Sequence, residues 1–280
     1  MAPQYPPETK ASARCRPMVD VKVVAQTESQ NDGTVITTLM CRYPRYIHAE
    51  LMTHRAFSRN ASSSRAIPVA KTISQVAENP VIPLFWGSNK PGMQQGDEVN
   101  AIDAIHALGN WRRALNEALV AAETLADIGV HKQYVNRLLE PFSNITTLVT
   151  ATEWDNFYSL RCHPMAMPEI EALARSMLEA STSFMGRRTG HYHLPFIKLE
   201  ELNTFNLQDA SRISAARCAR VSYLNHDLSE PDPEKDKALA ARLLADRHMS
   251  PFEHVAQANT GQYANFVNWQ SFRNMLEKAS

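Results

Sequence analysis

A chain short of glycine cannot build the backbone cradles on which most nucleotide-binding folds rest. These 280 residues contain nine glycines, at positions 33, 87, 92, 96, 109, 129, 186, 190 and 261, where average usage would give roughly 20. No set of them fits G-x-G-x-x-G or G-x-x-x-x-G-K-[ST]. The usual dinucleotide-binding turn and the P-loop are therefore excluded. Any phosphate bound here must be held by side chains or by helix ends.

The charge balance narrows the partners. Lys+Arg 29 against Asp+Glu 29 gives zero net charge, which argues against a nucleic-acid polymer or a membrane surface as partner. A content of 44% hydrophobic residues is enough for a substantial core. The cysteines, Cys15, Cys41, Cys162 and Cys218, form no C-x-x-C pair. That spacing argues against structural zinc and fits a reducing compartment. The segment Met1–Pro7 lacks the apolar stretch of a secretory signal, and no run of 18 apolar residues occurs. The expectation is a cytoplasmic protein.

The periodicities place the elements. Residues 1–18 read as a Pro-containing lead-in, and 19–280 as a single domain, more helical than sheet-like. Val21–Gln26 and Thr34–Met40 predict a hairpin around Ser29–Gly33. A helix is expected after Pro44, with Tyr46, Ile47, Glu50, Leu51 and His54 at helical spacing. Ser58–Arg65 reads as a loop or a capped helix start. Pro80, Pro83 and Pro91 mark an irregular connection. Ile105, Leu108, Trp111, Leu115, Leu119, Ala122 and Leu125 form one stripe of a long helix that stops at Gly129. A second helix carries Val135, Leu138 and Leu139. Residues 145–161 are read as helical, and Pro168 opens a helix through Met177 and Leu178. Residues 190–204 read as short and mixed. Ile213–Tyr223 is ambiguous, with Ala and Arg favouring helix. A charged loop spans 227–233, a helix Lys235–Asp246, and an amphipathic helix Phe266–Lys278.

The stretch from Thr53 to Arg65 is the most informative. It holds Arg55, Arg59 and Arg65, His54, Ser58, Ser62, Ser63, Ser64 and Asn60. Residues 51–77 contain no acid. So many donors without a carboxylate suit a phosphate, which arginine meets with a planar fork and serine with short donors. A solvated polar loop is the other reading.

This block resembles the signature of the flavin-dependent thymidylate synthases: Arg-His-Arg, seven residues, then Ser. His54, Arg55 and Ser63 match, and Ser58, Asn60 and Arg65 agree inside and after the spacer. Ala219-Arg220-Val221-Ser222-Tyr223 and His248-Met249-Ser250-Pro251-Phe252-Glu253-His254 resemble further family segments. So do Asn136–Pro141, Leu160-Arg161, Ala166 and Glu169-Ile170. In the better-known bacterial members the Ala-Arg-Val-Ser and Ser-Pro-Phe-Glu-His segments come before the arginine motif. Here they follow it, so the motif order resembles a circular permutation of theirs.

The resemblance implies an α+β fold, one compact domain with a β-sheet packed against several long helices. It implies C5-methylation of dUMP to dTMP, with FAD as cofactor, methylenetetrahydrofolate as carbon donor and NADPH as reductant. It also implies a homotetramer with shared active sites. By the same resemblance Thr53, His54, Arg55, Ser58, Asn60, Asn156, Ser222 and His254 would contact FAD. Glu50, Ser62, Ser63, Ser64, Arg65, Arg137 and Arg161 would bind the nucleotide. Arg161 is the catalytic candidate, a fixed positive charge at the pyrimidine edge where negative charge develops.

Three positions depart from the pattern. Thr53 stands for the first arginine, Ala61 for an acid, and Glu50 for a glutamine. A carboxylate at 50 can accept from the exocyclic amine of cytosine, which leaves a dCMP-modifying relative as an alternative. Equally, Glu50 can pair with an arginine and never meet a base. Thr53 and Ala61 also leave room for a non-catalytic nucleotide-binding relative. Separately, His191 and His193 form an H-x-H pair. It reads either as the centre of a metal-dependent hydrolase or as part of an ordinary strand, and no metal is assigned. Arg187 and Arg188 read as a basic turn, either solvated or facing an anionic co-substrate.

Overall fold

The computed structural model describes residues 18–221 and 232–279. Its elements in chain order begin with β1 (Asp20–Ser29), β2 (Val35–Pro44), α1 (His48–Met52), β3 (Ser58–Ala61) and α2 (Val69–Glu78). Next come α3 (Ala101–Asp127), α4 (Lys132–Leu138), β4 (Asn144–Ala151), α5 (Asp155–Arg161) and α6 (Pro168–Ser183). The second half contains β5 (Arg188–Gly190), β6 (Tyr192–His193), α7 (Leu199–Leu202), α8 (Leu207–Ala219) and α9 (Pro233–Ala245). It closes with β7 (Ala256–Tyr263), β8 (Phe266–Ser271) and α10 (Phe272–Ala279). Five strands form one sheet in the order β3-β4-β2-β1-β5, and β6-β7-β8 form another. Helices and sheet share one compact domain, as expected.

The hairpin is where the sequence puts it. Gly33 turns the chain at φ +78°, a conformation glycine takes without strain. Strand alternation then sorts β2 into two faces. Leu39, Cys41 and Tyr43 join Ile145, Val149 and Ala151 of β4 in the main core, under Ile170, Leu173, Ala174 and Met177 of α6. Those four helical positions repeat at three- and four-residue spacing, so one stripe of α6 lies on the sheet. Thr38 and Met40 point the other way, as do Leu148 and Thr150, and Cys218 of α8 packs there.

A bulge sets which face each β1 residue joins. Val21 and Val23 pack into the main core, but the register with β2 shifts between Val23 and Ala25. One inserted residue reverses the parity of all that follows. Thr27 has the same parity as Val21 and would otherwise share its face. Instead it bonds with His193 on the opposite side.

The second half is anchored through Arg217, which is 6% exposed. Its Nε donates to Asp236 of α9 at 2.9 Å, and its other nitrogens reach both oxygens of Glu201 at 2.6 and 2.8 Å. Arg217 Nη1 also donates to the carbonyl of Phe196, whose φ of +64° is left-handed. Ser214 Oγ donates to the neighbouring carbonyl of Pro195. The turn after β6 is thus pinned from α8. Arg220, from the Ala-Arg-Val-Ser block, donates to the other oxygen of Asp236 at 2.8 Å. These bonds satisfy a carboxylate that is 0% exposed.

Four local expectations are corrected. Residues 145–161 are not one helix: 144–151 form β4 and only 155–161 are helical. Ile145-Thr146-Thr147-Leu148-Val149-Thr150 is rich in β-branched residues, which suit a pleated surface. Phe266–Lys278 likewise divides into β8 and α10. Ser58–Ala61 is neither loop nor helix start but the edge strand β3, paired with β4. In α3, Leu115 and Ala122 are buried as expected, while Ile105 stays 68% exposed. The lead-in before Met18 lies outside the described residues, as do residues 227–231 of the charged loop. Asp232 caps α9 by accepting from the Glu234 and Lys235 amides.

Removing the Asp236 carboxylate leaves two arginines facing a buried gap. Asp236→Ala is expected to cost about 3–5 kcal/mol of unfolding free energy in urea titration, and a loss under about 1 kcal/mol would reject this anchoring role.

Candidate active site

Two helix ends meet at the first cluster. Glu50 sits in α1 and Arg161 closes α5. Arg161 Nη1 donates to Glu50 Oε2 at 3.0 Å, and Arg161 Nε donates to His54 Nε2 at 3.0 Å. A nitrogen that accepts from arginine carries no proton, so His54 is neutral with its hydrogen on Nδ1. Burial lowers its pKa, and Arg161 and Arg59 push it the same way. Phe157 holds the ring edge-on at 4.8 Å between centroids. Arg161 Nη2 has no partner among the described residues, so one end of the guanidinium remains available to a ligand.

A second cluster lines a cavity of about 610 Å³. Asn60, Ser63, Arg65, Lys132 and Gln133 come from the first half of the chain, and His248, Ser250 and Pro251 from the second. None of the lining residues is acidic. Asn60 Nδ2 donates to the Cys218 carbonyl at 2.9 Å, which ties β3 to the end of α8. The arginine–serine block and the Ser-Pro-Phe-Glu-His segment thus line the same cavity. Their donors suit an anion.

The remaining predicted residues lie apart. Ser64 Oγ donates to Glu140 at 3.0 Å, and Arg137 and Arg45 approach the same carboxylate at 3.6 and 3.7 Å. Thr53 Oγ1 donates to the Glu50 carbonyl, and Ser62 Oγ accepts from the Thr146 amide. Ser58 is buried and accepts from Asn265. Arg55 and Asn156 are exposed. Ser222 lies outside the described residues. His254 is fully buried; Thr150 bonds its Nδ1 at 2.8 Å, while its Nε2 has no partner among the described residues.

The H-x-H pair does not converge. His191 is exposed, whereas His193 is 0% exposed with Thr27 on Nδ1 and Thr38 on Nε2. Both ring nitrogens are engaged within the protein, and no group of three or more potential metal ligands occurs among the described residues. The hydrolase alternative loses its centre.

Residue pattern does not mark Lys132, Gln133, His248 and Ser250 as ligand groups, nor Thr27, Thr38 and Thr150. Thr38 and Thr150 carry a visible signal, a hydroxyl beside the apolar residues of β2 and β4. Thr27, among Gln26, Glu28 and Ser29, carries none, and neither do the first four, because only folding brings them to one cavity.

The fold and the two clusters describe a mixed helix-and-sheet protein with an acid-free cavity lined by donors and an arginine-centred cluster. The profile of the thymidylate synthase complementing protein family matches residues 25–185, and the chain belongs to that family. It is a thymidylate synthase-type methyltransferase, whose reaction class is nucleotide C5-methylation. Similar solved structures include the UMP/dUMP methylase PolB from Streptomyces cacaoi bound with 5-Br dUMP: 19% identity, TM-score 0.49, covering 60% of this chain and 91% of that chain. The same methylase bound with 5-Br UMP gives 18% identity and TM-score 0.48, covering 60% and 90%. No curated protein sequence matches. Among the described residues no helix is long and apolar enough to cross a membrane.

Two pH-dependent outcomes follow. Arg161→Ala removes a donor to His54 and a neighbouring positive charge, so the His54 pKa should rise towards the usual 6.5 in an NMR titration; an unchanged value would contradict the pairing. His193 and His254 are held neutral by burial, with pKa values lowered from 6.5 to about 3. The unfolded chain takes up a proton on each ring near pH 6.5, and the folded chain does not until about pH 3. Their contribution to stability is therefore complete above the unfolded pKa and declines as pH falls towards the folded one. From about pH 6 to about pH 4.5, each ring should lower the unfolding free energy by about 1.4 kcal/mol per pH unit. A profile that stays flat in urea titrations over that range would contradict two buried neutral rings.

Proposed function

We propose that this chain methylates dUMP at C5 to give dTMP, with FAD as cofactor, methylenetetrahydrofolate as carbon donor and NADPH as reductant. The observation that carries the reading is the acid-free cavity lined by Ser63 and Arg65 together with Ser250 and Pro251. These segments belong to separate motifs, and they meet as a nucleotide site would require. The donor set also fits a flavin dinucleotide: Arg55 and Asn60 are cationic or amide donors in a stretch free of acids. His54, Arg55, Asn60 and His254 would hold the cofactor. When bound, the flavin supplies the methylene carrier and the reducing equivalents.

The protein groups then have definite roles. Ser63 and Arg65 bind the nucleotide phosphate, with Lys132 adding charge to the same wall. Arg161 presents Nη2 to the pyrimidine edge and stabilises negative charge as C5 becomes nucleophilic. Glu50 fixes the Arg161 guanidinium, and His54 fixes its Nε. With its carboxylate committed to Arg161, Glu50 supports uracil over cytosine as the base. Arg137 and Ser64 meet Glu140 and not the Arg161 cluster, which supports active sites shared between subunits of a homotetramer.

The test is an absorbance spectrum of the purified protein, followed by turnover with methylenetetrahydrofolate, NADPH and either dUMP or dCMP. A flavin spectrum and dTMP formation are expected, and Arg161→Ala should lower turnover by at least about 100-fold, the scale of one lost electrostatic donor. Colourless protein that gains no flavin on reconstitution would refute the cofactor assignment. Product from dCMP alone would refute the uracil assignment.

A further inference from the structure

Five side chains on the second face of the sheet form a continuous hydrogen-bonded line. Thr27 Oγ1 lies 2.8 Å from His193 Nδ1, and His193 Nε2 lies 2.7 Å from Thr38 Oγ1. Thr38 and Thr150 are register partners in β2 and β4, with their hydroxyls 2.7 Å apart. Thr150 Oγ1 lies 2.8 Å from His254 Nδ1, and His254 Nε2 has no partner among the described residues. All five residues are 0–4% exposed. At the other end, Thr27 lines a cavity of about 310 Å³ together with Arg188, His191 and Tyr192.

Counting hydrogens shows that the line has a direction. Each threonine hydroxyl donates once, and each neutral imidazole donates once and accepts once. If Thr27 donates to His193, then His193 Nε2–H donates to Thr38, Thr38 to Thr150, and Thr150 to His254 Nδ1. His254 must then carry its hydrogen on Nε2. If the line runs the other way, His254 Nδ1–H donates to Thr150, Thr150 to Thr38, and Thr38 to His193 Nε2. His193 Nδ1–H then donates to Thr27, and His254 Nε2 is a bare lone pair. Any mixed arrangement sets two oxygens 2.7 Å apart without a hydrogen between them, or strands a buried hydroxyl hydrogen.

We propose that Thr27, His193, Thr38 and Thr150 are a hydrogen-bond relay that dictates which ring nitrogen of His254 carries hydrogen, coupling that choice to the direction of the bond at Thr27. The direction is readable at both ends: a line that begins with Thr27 donating ends with hydrogen on His254 Nε2, and one that begins with Thr27 accepting ends with hydrogen on His254 Nδ1. The four are positioning residues for His254, and the relay stands whether or not a flavin is the ligand that meets it.

The experiment is long-range proton–nitrogen correlation NMR on the full chain carrying 15N-labelled histidine, without added ligand. The relay requires His193 and His254 to share one tautomer, both Nδ1–H or both Nε2–H. Opposite tautomers in the unsubstituted protein overturn the proposal, and this reading needs no variant. Thr38→Val cuts the line in the middle and should change the His254 tautomer ratio by about fivefold or more, the equivalent of one buried hydrogen bond. Thr38→Ser retains the hydroxyl and should preserve the original ratio. A His254 signature that is identical in Thr38→Val and Thr38→Ser also overturns it.

Discussion

The pairing of β2 with β4 is the contact on which the rest of the molecule depends. Its register sets Thr37 against Ala151 and Pro44 against Asn144. On one face it aligns Leu39, Cys41 and Tyr43 with Ile145, Val149 and Ala151 to make the surface that α6 covers. On the other it aligns Thr38 with Thr150. It also offers β4 as the template for β3, so the arginine–serine block leaves the sheet at a defined point. A slip of one residue would exchange the two faces, burying the threonines under α6 and turning the leucine and tyrosine away from it.

From that sheet the two clusters take their positions by different means. The Glu50–Arg161–His54 cluster is local to helix ends packed on the main core, and arginine's rigid fork joins them. The cavity around Arg65 instead needs the second half of the chain. Its far wall follows the end of α8, which is anchored through Arg217, Arg220 and Asp236. Part of the Ala-Arg-Val-Ser block is therefore structural, because Arg220 satisfies a buried carboxylate.

Much of the fold is readable from residue pattern, and the failures have physical causes. The β1–β2 hairpin, the long α3 and the Pro168-led α6 all follow from strong periodicity with clear stop signals. Pattern misleads over residues 145–161 because a strand runs into a helix with only a brief polar break, and the apolar spacing spans both. It misleads over Phe266–Lys278 for the same reason. The donors of the 53–65 block are legible as an anion-binding set, since composition alone shows the missing acids. Lys132 and His248 are not, because they lie far from that block in the chain and only folding brings them to its cavity.

The amino-acid order is sufficient for the choice of phosphate chemistry: with so few glycines and an acid-free arginine–serine block, the burden falls on side chains. It is also sufficient for the family, since the arginine–serine block lies within the residues that the family profile matches. Which groups meet is a different matter. In the linear chain no residue marks a partner for Glu50, and folding brings its Oε2 to Arg161, because two helix ends come within hydrogen-bond reach. His193 reads as half of a metal pair, and the bulge in β1 puts Thr27 against it instead. One inserted residue reverses side-chain parity, and only the paired strand reveals where that insertion lies.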